Sequence, residues 1–200
     1  PSGVQLGTGT RLVGTQKVFT NGNLQTTSRE MDVAIVGQGF LQVQLPDGTT
    51  AYTRAGQLQV DLDGRLVTAQ GLPLIPEITI PANATNPVIG ENATISVTLP
   101  GNAAPSEVGQ LMLANFVNPT GLLARGENLY LETAASGTPN EGEPGTEAFG
   151  KLKQGTLEGS NVQVVEEMVD MIAAQRTYEM NTKVLTAADN MLQALAQAAR

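Results

Sequence analysis

The stretch 160–181, SNVQVVEEMVDMIAAQRTYEMN, is the most informative part of the sequence. Its apolar residues recur at helical spacing, and neither Pro nor Gly follows it up to Arg200. Ser160 and Gln163 have the S-x-x-Q pattern of a capping box, which predicts that the helix begins at Ser160. The acidic residues that follow favour a helix N-terminus, because the helix dipole stabilises negative charge there. The sequence therefore predicts one long helix over 160–200.

Apolar residues recur every seven positions along this helix, which is the pattern of a coiled coil. Three further residues, Val165, Met168 and Ile172, widen the apolar stripe at its start, so that it could touch two neighbours. The predicted self-assembly seam comprises Val165, Met168, Met171, Ile172, Tyr178, Asn181, Leu185, Ala188, Leu192 and Leu195. A seam of this length needs a covering surface. The sequence shows no second helix, so we expect another chain, a preceding N-terminal segment, or both.

Residues 31–159 carry the signals of strands and turns. Apolar and polar residues alternate from Phe40 to Leu45, on either side of which lie a Gly-Gln-Gly turn and Asp47-Gly48. A period of two is typical of a strand, and Asp-Gly between apolar segments is a strong hairpin signal. Asp63-Gly64 predicts a second hairpin. We expect a further single strand over 108–118 and a last strand and turn over 151–159.

The chain is expected to have three parts. Residues 1–30 form an extended N-terminal segment, residues 31–159 form a β-rich domain, and residues 160–200 form the helix. The acidic, Gly- and Pro-rich stretch 134–148 predicts a mobile loop. Because the sequence begins with Pro1 rather than Met, we expect further N-terminal material to precede it. The predicted fold class is a mainly β domain with a long C-terminal α-helix that forms a coiled coil.

Composition excludes several classes of function. The 200 residues contain neither Cys nor His and carry a net charge of −8. Disulfides, Cys or His metal sites and His-based acid–base catalysis are therefore excluded. The negative charge argues against a nucleic-acid partner, and no apolar run is long enough to insert into a membrane. We expect no cofactor, no metal and no catalytic residue.

Several motifs have ordinary structural explanations. The stretch 145–151, GTEAFGK, resembles a phosphate loop, but Leu152 stands where a magnesium-binding hydroxyl is needed. The stretch 61–64, DLDG, resembles the start of a calcium loop, but Leu72 replaces the required Glu. Two alternatives to a self-assembling subunit stay open on the residues alone. One is a hydrolase that uses two carboxylates, and the other is a β-rich, adhesin-like binding module oligomerised by its helix.

Three longer stretches resemble the rod and hook proteins of the bacterial flagellum. They are DVAIVGQGFLQV at 32–43, GENLYLETAASGTPN at 126–140 and the C-terminal stretch from Gly150, which includes QRTYE at 175–179. The resemblance covers nearly the whole chain and is greatest to distal rod proteins. Proximal rod and hook proteins of the same family are the alternatives.

The resemblance implies a structural subunit of the distal rod. In this family an N-terminal helix, absent from this sequence, packs against the C-terminal helix in an inner tube, and the β domain lies outside. Copies stack helically into a hollow, rigid drive shaft that transmits torque from the motor to the hook. The implied location is the periplasm-spanning rod of the basal body, reached by export without a cleaved signal. The implied partners are further copies of the chain, other rod proteins, the hook protein, surrounding ring proteins and the flagellar export apparatus.

Overall fold

The structure is a computed structural model that describes residues 11, 13–100 and 104–198, apart from the side chains of Leu195 and Ala198. The chain divides into two compact units. We call Pro1–Ser160 the β unit and Asn161–Arg200 the helix unit. The predicted mainly β domain with one long C-terminal helix is confirmed, since strands fill the described β unit and one long helix fills the described helix unit. That this helix forms a coiled coil stays a prediction. The assignment of these parts to the outside and the inside of a tube stays a prediction.

The β unit is built from short strands and one turn of 3₁₀ helix, Pro119–Gly121, and the helix unit contains α1, Val164–Ala198. The strands are β1 Leu24–Thr26, β2 Val33–Val36, β3 Phe40–Gln44, β4 Thr50–Thr53, β5 Leu58–Val60, β6 Leu66–Thr68, β7 Leu74–Ile75, β8 Thr85–Ile89, β9 Thr94–Thr98, β10 Ser106–Gln110, β11 Leu113–Asn115, β12 Leu123–Gly126, β13 Leu129–Leu131, β14 Asn140–Gly142, β15 Lys151–Gln154 and β16 Thr156–Glu158.

Strand β3 lies at the centre of the largest sheet, whose order is β12-β13-β4-β3-β11-β14, with β7 also paired to β3. The alternation of its residues places Leu41 and Val43 in the main hydrophobic core of the β unit. Phe40 belongs to a second, aromatic cluster. Both faces of β3 are therefore covered, and even Gln42 is buried. The smaller sheets pair β1 with β16, β2 with β15, β5 with β6, and β9 with both β8 and β10.

Both Asp-Gly hairpins are confirmed. The first joins β3 to β4, and the Gly48 N–H donates to the Leu45 carbonyl at 2.9 Å. The second joins β5 to β6, and the Gly64 N–H donates to the Asp61 carbonyl at 2.9 Å. Both glycines have a φ near +80°, a conformation that costs glycine little because it has no Cβ. Local turn chemistry therefore determined these two pairings.

The Gly-Gln-Gly turn after β2 connects two sheets instead of closing a hairpin. Strand β2 pairs with β15 from the end of the unit, with Ile35 opposite Leu152. Strand β3 pairs elsewhere. The turn itself was predicted. Strands β2 and β15, however, lie more than a hundred residues apart in the chain, and no local signal specifies their pairing.

The single strand expected over 108–118 is wrong. The structure has two strands there, β10 and β11, and they belong to different sheets. The chain changes sheets at Leu111, which is fully buried and whose N–H donates to the Ala93 carbonyl at 3.0 Å. A β-bulge between Glu107 and Gly109 also interrupts the regular pairing of β10. The apolar run looked continuous because both strands are partly buried.

The stretch 134–148, predicted as a mobile loop, contains strand β14. This strand pairs with β11 at three positions, including Asn115 opposite Asn140. At the start of the stretch, the Ser136 hydroxyl accepts from the Thr133 N–H at 2.9 Å and so closes a turn. The composition did not reveal β14, because it is an edge strand held by backbone pairing and its residues are mostly exposed.

The predicted helix start at Ser160 is four residues too early. Helix α1 begins at Val164, and Gln163 occupies the N-cap position, since its carbonyl accepts from the Glu167 N–H at 3.0 Å. The Gly159 N–H still donates to the Asn23 carbonyl at 2.8 Å, which keeps the preceding chain extended beside β1. Glu166 and Glu167 do lie in the first turn, as the dipole argument predicted.

Candidate assembly surface

Helix α1 carries an unusual number of exposed apolar side chains. It has 35 residues and a length of roughly 52 Å at 1.5 Å per residue. Exposure ranges from 50% at Ile172 to 77% at Val165 among its large apolar side chains. Soluble proteins rarely leave so much contiguous apolar surface uncovered, so this surface is a candidate interface. Within the described residues, no helix is both long and apolar enough to cross a membrane.

Every described side chain of the predicted seam is exposed. Met168, Met171, Tyr178, Leu185 and Leu192 are between 57% and 71% exposed. The two small or polar members of the seam, Asn181 and Ala188, are exposed as well, whereas the side chain of Leu195 lies outside the described ones. Their role as a self-assembly seam stays a prediction, and the exposure shows only that they are accessible in the single chain.

The first half of α1 has its apolar residues on one side. At about 100° per residue, these side chains span an arc of roughly 160°. They are Val164, Val165, Met168, Val169, Met171 and Ile172. Glu166, Glu167 and Asp170 occupy the opposite side of the same turns. This half is therefore amphipathic by itself.

The second half of α1 has its apolar residues on the other side. Its apolar arc is also roughly 160° wide, and its centre lies roughly 180° around the axis from that of the first half. The members of this arc are Tyr178, Met180, Val184, Leu185, Met191 and Leu192. Most polar side chains of this half, among them Glu179, Lys183 and Gln193, fall where the apolar arc of the first half was, whereas Asn181 lies within the apolar arc.

The prediction missed five exposed apolar residues of α1, which are Val164, Val169, Met180, Val184 and Met191. Met180, Val184 and Met191 are separated by four and seven positions, so they form a row beside the predicted heptads. A search for helical spacing, not only for a strict heptad, would have found this row. With these residues included, α1 presents two apolar surfaces to two sides instead of one continuous seam.

The two weak motifs of the β unit are engaged in ion pairs. The Lys151 ammonium, at the end of the stretch that resembles a phosphate loop, donates to Glu91 Oε2 at 2.9 Å. This hydrogen bond and the charge of Lys151 hold the pKa of Glu91 below its usual value. In the stretch 61–64, the Arg65 guanidinium lies 3.5 Å from Asp61 and 3.2 Å from Asp63. Both stretches thus have structural explanations.

Two family models match this chain. The model described as "Flagellar hook protein FlgE/F/G D1 domain" matches residues 34–97, within the β unit. The model described as "Flagellar basal body rod FlgEFG protein C-terminal" matches residues 153–198, which include α1. Together they place the molecule in the class of flagellar hook and rod proteins and confirm the resemblance drawn from the sequence.

Curated relatives show which proteins of this class the chain resembles. The flagellar basal-body rod protein FlgG of Buchnera aphidicola (subspecies Schizaphis graminum) is 54% identical over 98% of this chain and 76% of its own length. The FlgG of Borreliella burgdorferi is 46% identical over 96% of this chain and 73% of its own length. The flagellar basal-body rod protein FlgF of Escherichia coli is 40% identical over 86% of this chain and 69% of its own length. The chain therefore belongs to the flagellar basal-body rod protein family, with its greatest similarity to the FlgG members, and this family is structural rather than enzymatic.

Proposed function

We propose that this chain is a structural subunit of the flagellar distal rod, where copies of it polymerise helically into a stiff, hollow shaft. The observation that carries the proposal is the pair of exposed apolar surfaces on α1, in a chain whose relatives are rod proteins. Fully burying one large apolar side chain contributes about 1.5–3 kcal/mol. Twelve such side chains supply enough to offset the loss of freedom when a subunit joins.

Two apolar surfaces on opposite sides of one helix suit a polymer. A single apolar seam can be fully buried in a closed dimer or trimer, whereas two apolar surfaces on opposite sides need two different neighbours to bury them. Contacts between unlike surfaces generate an open helical filament when the rotation between copies does not close a ring. We assign Val165, Met168 and Ile172 to one contact and Leu185 and Leu192 to the other.

A subunit at this position in the rod would contact several other flagellar proteins. The family supports contacts with further copies and with other rod and hook components. Contact of the β unit with surrounding ring proteins, and passage through the flagellar export apparatus, are finer parts of the proposal. They rest on the family resemblance alone.

The proposal predicts that Leu185→Asp or Leu192→Asp abolishes rod assembly and motility, because a buried carboxylate in an apolar contact is strongly unfavourable. The β unit should stay folded, since both residues lie in the helix unit. Electron microscopy of basal bodies and a swimming assay measure the effect. Thr186→Asp is the matched control, because the Thr186 hydroxyl donates to the nearby Lys183 carbonyl and Thr186 lies on the polar side of the second half of α1. Normal swimming by the Leu185→Asp and Leu192→Asp variants contradicts the proposal.

A further inference from the structure

Arg54, which follows β4, makes more of the hydrogen bonds seen among the described side chains of the β unit than its neighbours do. Its Nη1 donates to the carbonyls of Gly37 at 3.2 Å and Gly39 at 2.9 Å, and its Nη2 donates to the Ile35 carbonyl at 3.3 Å. Its Nε donates to Glu158 Oε2 at 2.9 Å, and its Nη2 lies 2.8 Å from the same oxygen. The Arg54 side chain is 20% exposed and that of Glu158 only 10%. The rigid fork of a guanidinium suits such a multiple contact better than an ammonium.

The same ion pair also binds the N-terminal segment. Arg54 Nη2 donates to Asn21 Oδ1 at 3.3 Å, and the Gly22 N–H donates to the other Glu158 oxygen, Oε1, at 3.0 Å. One arginine and one carboxylate thus join the segment that leads into β1 to the strand, β16, that precedes the helix unit. Glu158 is the last residue of β16.

The backbones of the N-terminal segment and of the chain around β16 are also in direct contact. A Cβ added at Gly22 would overlap the Gly159 carbonyl oxygen. Next to this contact β1 and β16 pair over three positions, with Leu24 opposite Glu158. Backbone pairing already joins these two segments of the β unit, and Arg54 and Glu158 add side-chain bonds to the same junction.

We propose that Arg54 and Glu158 form a clamp that locks both ends of the β unit together, and that Arg54 is a positioning residue for the strand from which α1 continues. This inference rests on the proposed function for its purpose: in a rod, force on the helix reaches the β unit through β16. The clamp transmits that force to β1, β3 and β4 instead of letting β16 peel away from its edge.

Hydrogen exchange of the unassembled chain tests the clamp itself. In Glu158→Gln, which keeps the side-chain shape, we expect the amides of Thr27 and Gly159, which donate to the Gly155 and Asn23 carbonyls, to exchange about tenfold faster or more, because hydrogen bonds to a charged group are lost. The amide of Val43, in the main core, should keep its exchange rate. Arg54→Lys should give an intermediate rate, since it keeps the charge but not the fork. Arg125→Gln is the matched control, because Arg125 makes an exposed ion pair with Asp47.

The pattern of exchange separates the clamp from a merely stabilising ion pair. Equal acceleration at Val43 and Gly159, or no acceleration at either, overturns the proposal. Rods assembled from the Glu158→Gln variant should also break at lower shear than those of Arg125→Gln, and equal breakage overturns the force-transmitting role. If the unchanged chain forms no rods, the proposed function fails, while the exchange result still decides whether the clamp exists.

Discussion

At the residue scale, the sparse aromatic residues are concentrated at one place. Phe19, Phe40, Tyr52, Phe116 and Tyr130 meet edge to face, with ring centroids 4.7–6.0 Å apart. Aromatic pairs in this geometry contribute beyond their buried area. Because Phe19 belongs to the N-terminal segment, the cluster anchors that segment to the largest sheet. The sequence showed the aromatic residues but not their convergence, which depends on strands distant in the chain.

Tyr52 gives this cluster a measurable pH dependence. Burial raises the pKa of Tyr52 from 10.0 to about 12, and the charges of Glu132 and Glu141 add to the rise. The folded chain therefore holds the phenolic proton more tightly than the unfolded chain does. The resulting stabilisation is complete below pH 10 and is lost as the pH rises towards 12.

We predict that the free energy of unfolding falls between pH 10 and pH 12 by on the order of 2 kcal/mol through Tyr52. Tyr52→Phe should remove this part of the decline, and denaturant unfolding at several pH values measures it. Tyr178→Phe is the control, because Tyr178 is 71% exposed on α1. A decline equally steep in Tyr52→Phe and in the unchanged chain refutes the assignment.

Gly56 is a second position where one atom matters. The Val33 N–H donates to the Gly56 carbonyl at 2.9 Å, and a Cβ at Gly56 would overlap the Val33 carbonyl oxygen. We predict that Gly56→Ala lowers the free energy of unfolding by about 2 kcal/mol or more, because two backbones must separate. Gly14→Ala, with no neighbouring atom near the added Cβ, should change it by less than about 0.5 kcal/mol. Equal effects of the two substitutions, measured by urea unfolding, contradict the packing argument.

At the scale of helices and strands, the sequence predicted the features that depend on neighbouring residues and missed those that depend on distant ones. The hairpins at Asp47-Gly48 and Asp63-Gly64 and the existence of α1 were predicted, because turn chemistry and helical spacing are local. The division of 108–118 between two sheets and strand β14 were not, because edge pairing leaves no pattern in the side chains. The contact between Arg54 and Glu158 was not predicted either, because these residues are more than a hundred positions apart and no local pattern relates them.

The helix start shows local signals in competition. Ser160 and Gln163 have the sequence of a capping box, yet the pairing of β16 with β1 keeps the chain extended through Gly159. Tertiary pairing outweighed the local preference, and the helix begins only at Val164, after Gly159 has made the last backbone contact of this pairing. A capping pattern immediately after a strand is therefore a weaker boundary signal than the same pattern after a loop.

The two apolar surfaces of α1 predict a pattern of mobility in assembled rods. Since the sequence has no Cys, a spin label can be placed on a single introduced cysteine. Met168→Cys and Val184→Cys should carry immobile labels, although these two positions lie on opposite sides of the helix. Glu179→Cys and Gln193→Cys should carry more mobile labels, and Glu179 lies on the same side as Met168. Electron paramagnetic resonance that finds Val184→Cys as mobile as Gln193→Cys contradicts the two-surface account.

At the scale of the whole molecule, the two units differ in what they bury. The β unit encloses two hydrophobic clusters of its own, whereas the described apolar side chains of α1 are exposed. The β unit thus has an apolar core of its own, and we expect the helix unit to pack against neighbouring subunits. We propose that such a subunit packs its helix as it joins a polymer, which ties the apolar surface to the site of growth.

Electron cryomicroscopy of the rod in basal bodies that contain this chain would show directly where α1 lies. We predict α1 in the inner wall, with Val165, Met168 and Ile172 packed against one neighbour and Leu185 and Leu192 against another. We also predict β1 and β16 still joined beside the Arg54–Glu158 pair. A rod in which α1 lies on the outer surface, with these apolar side chains in solvent, would contradict the account.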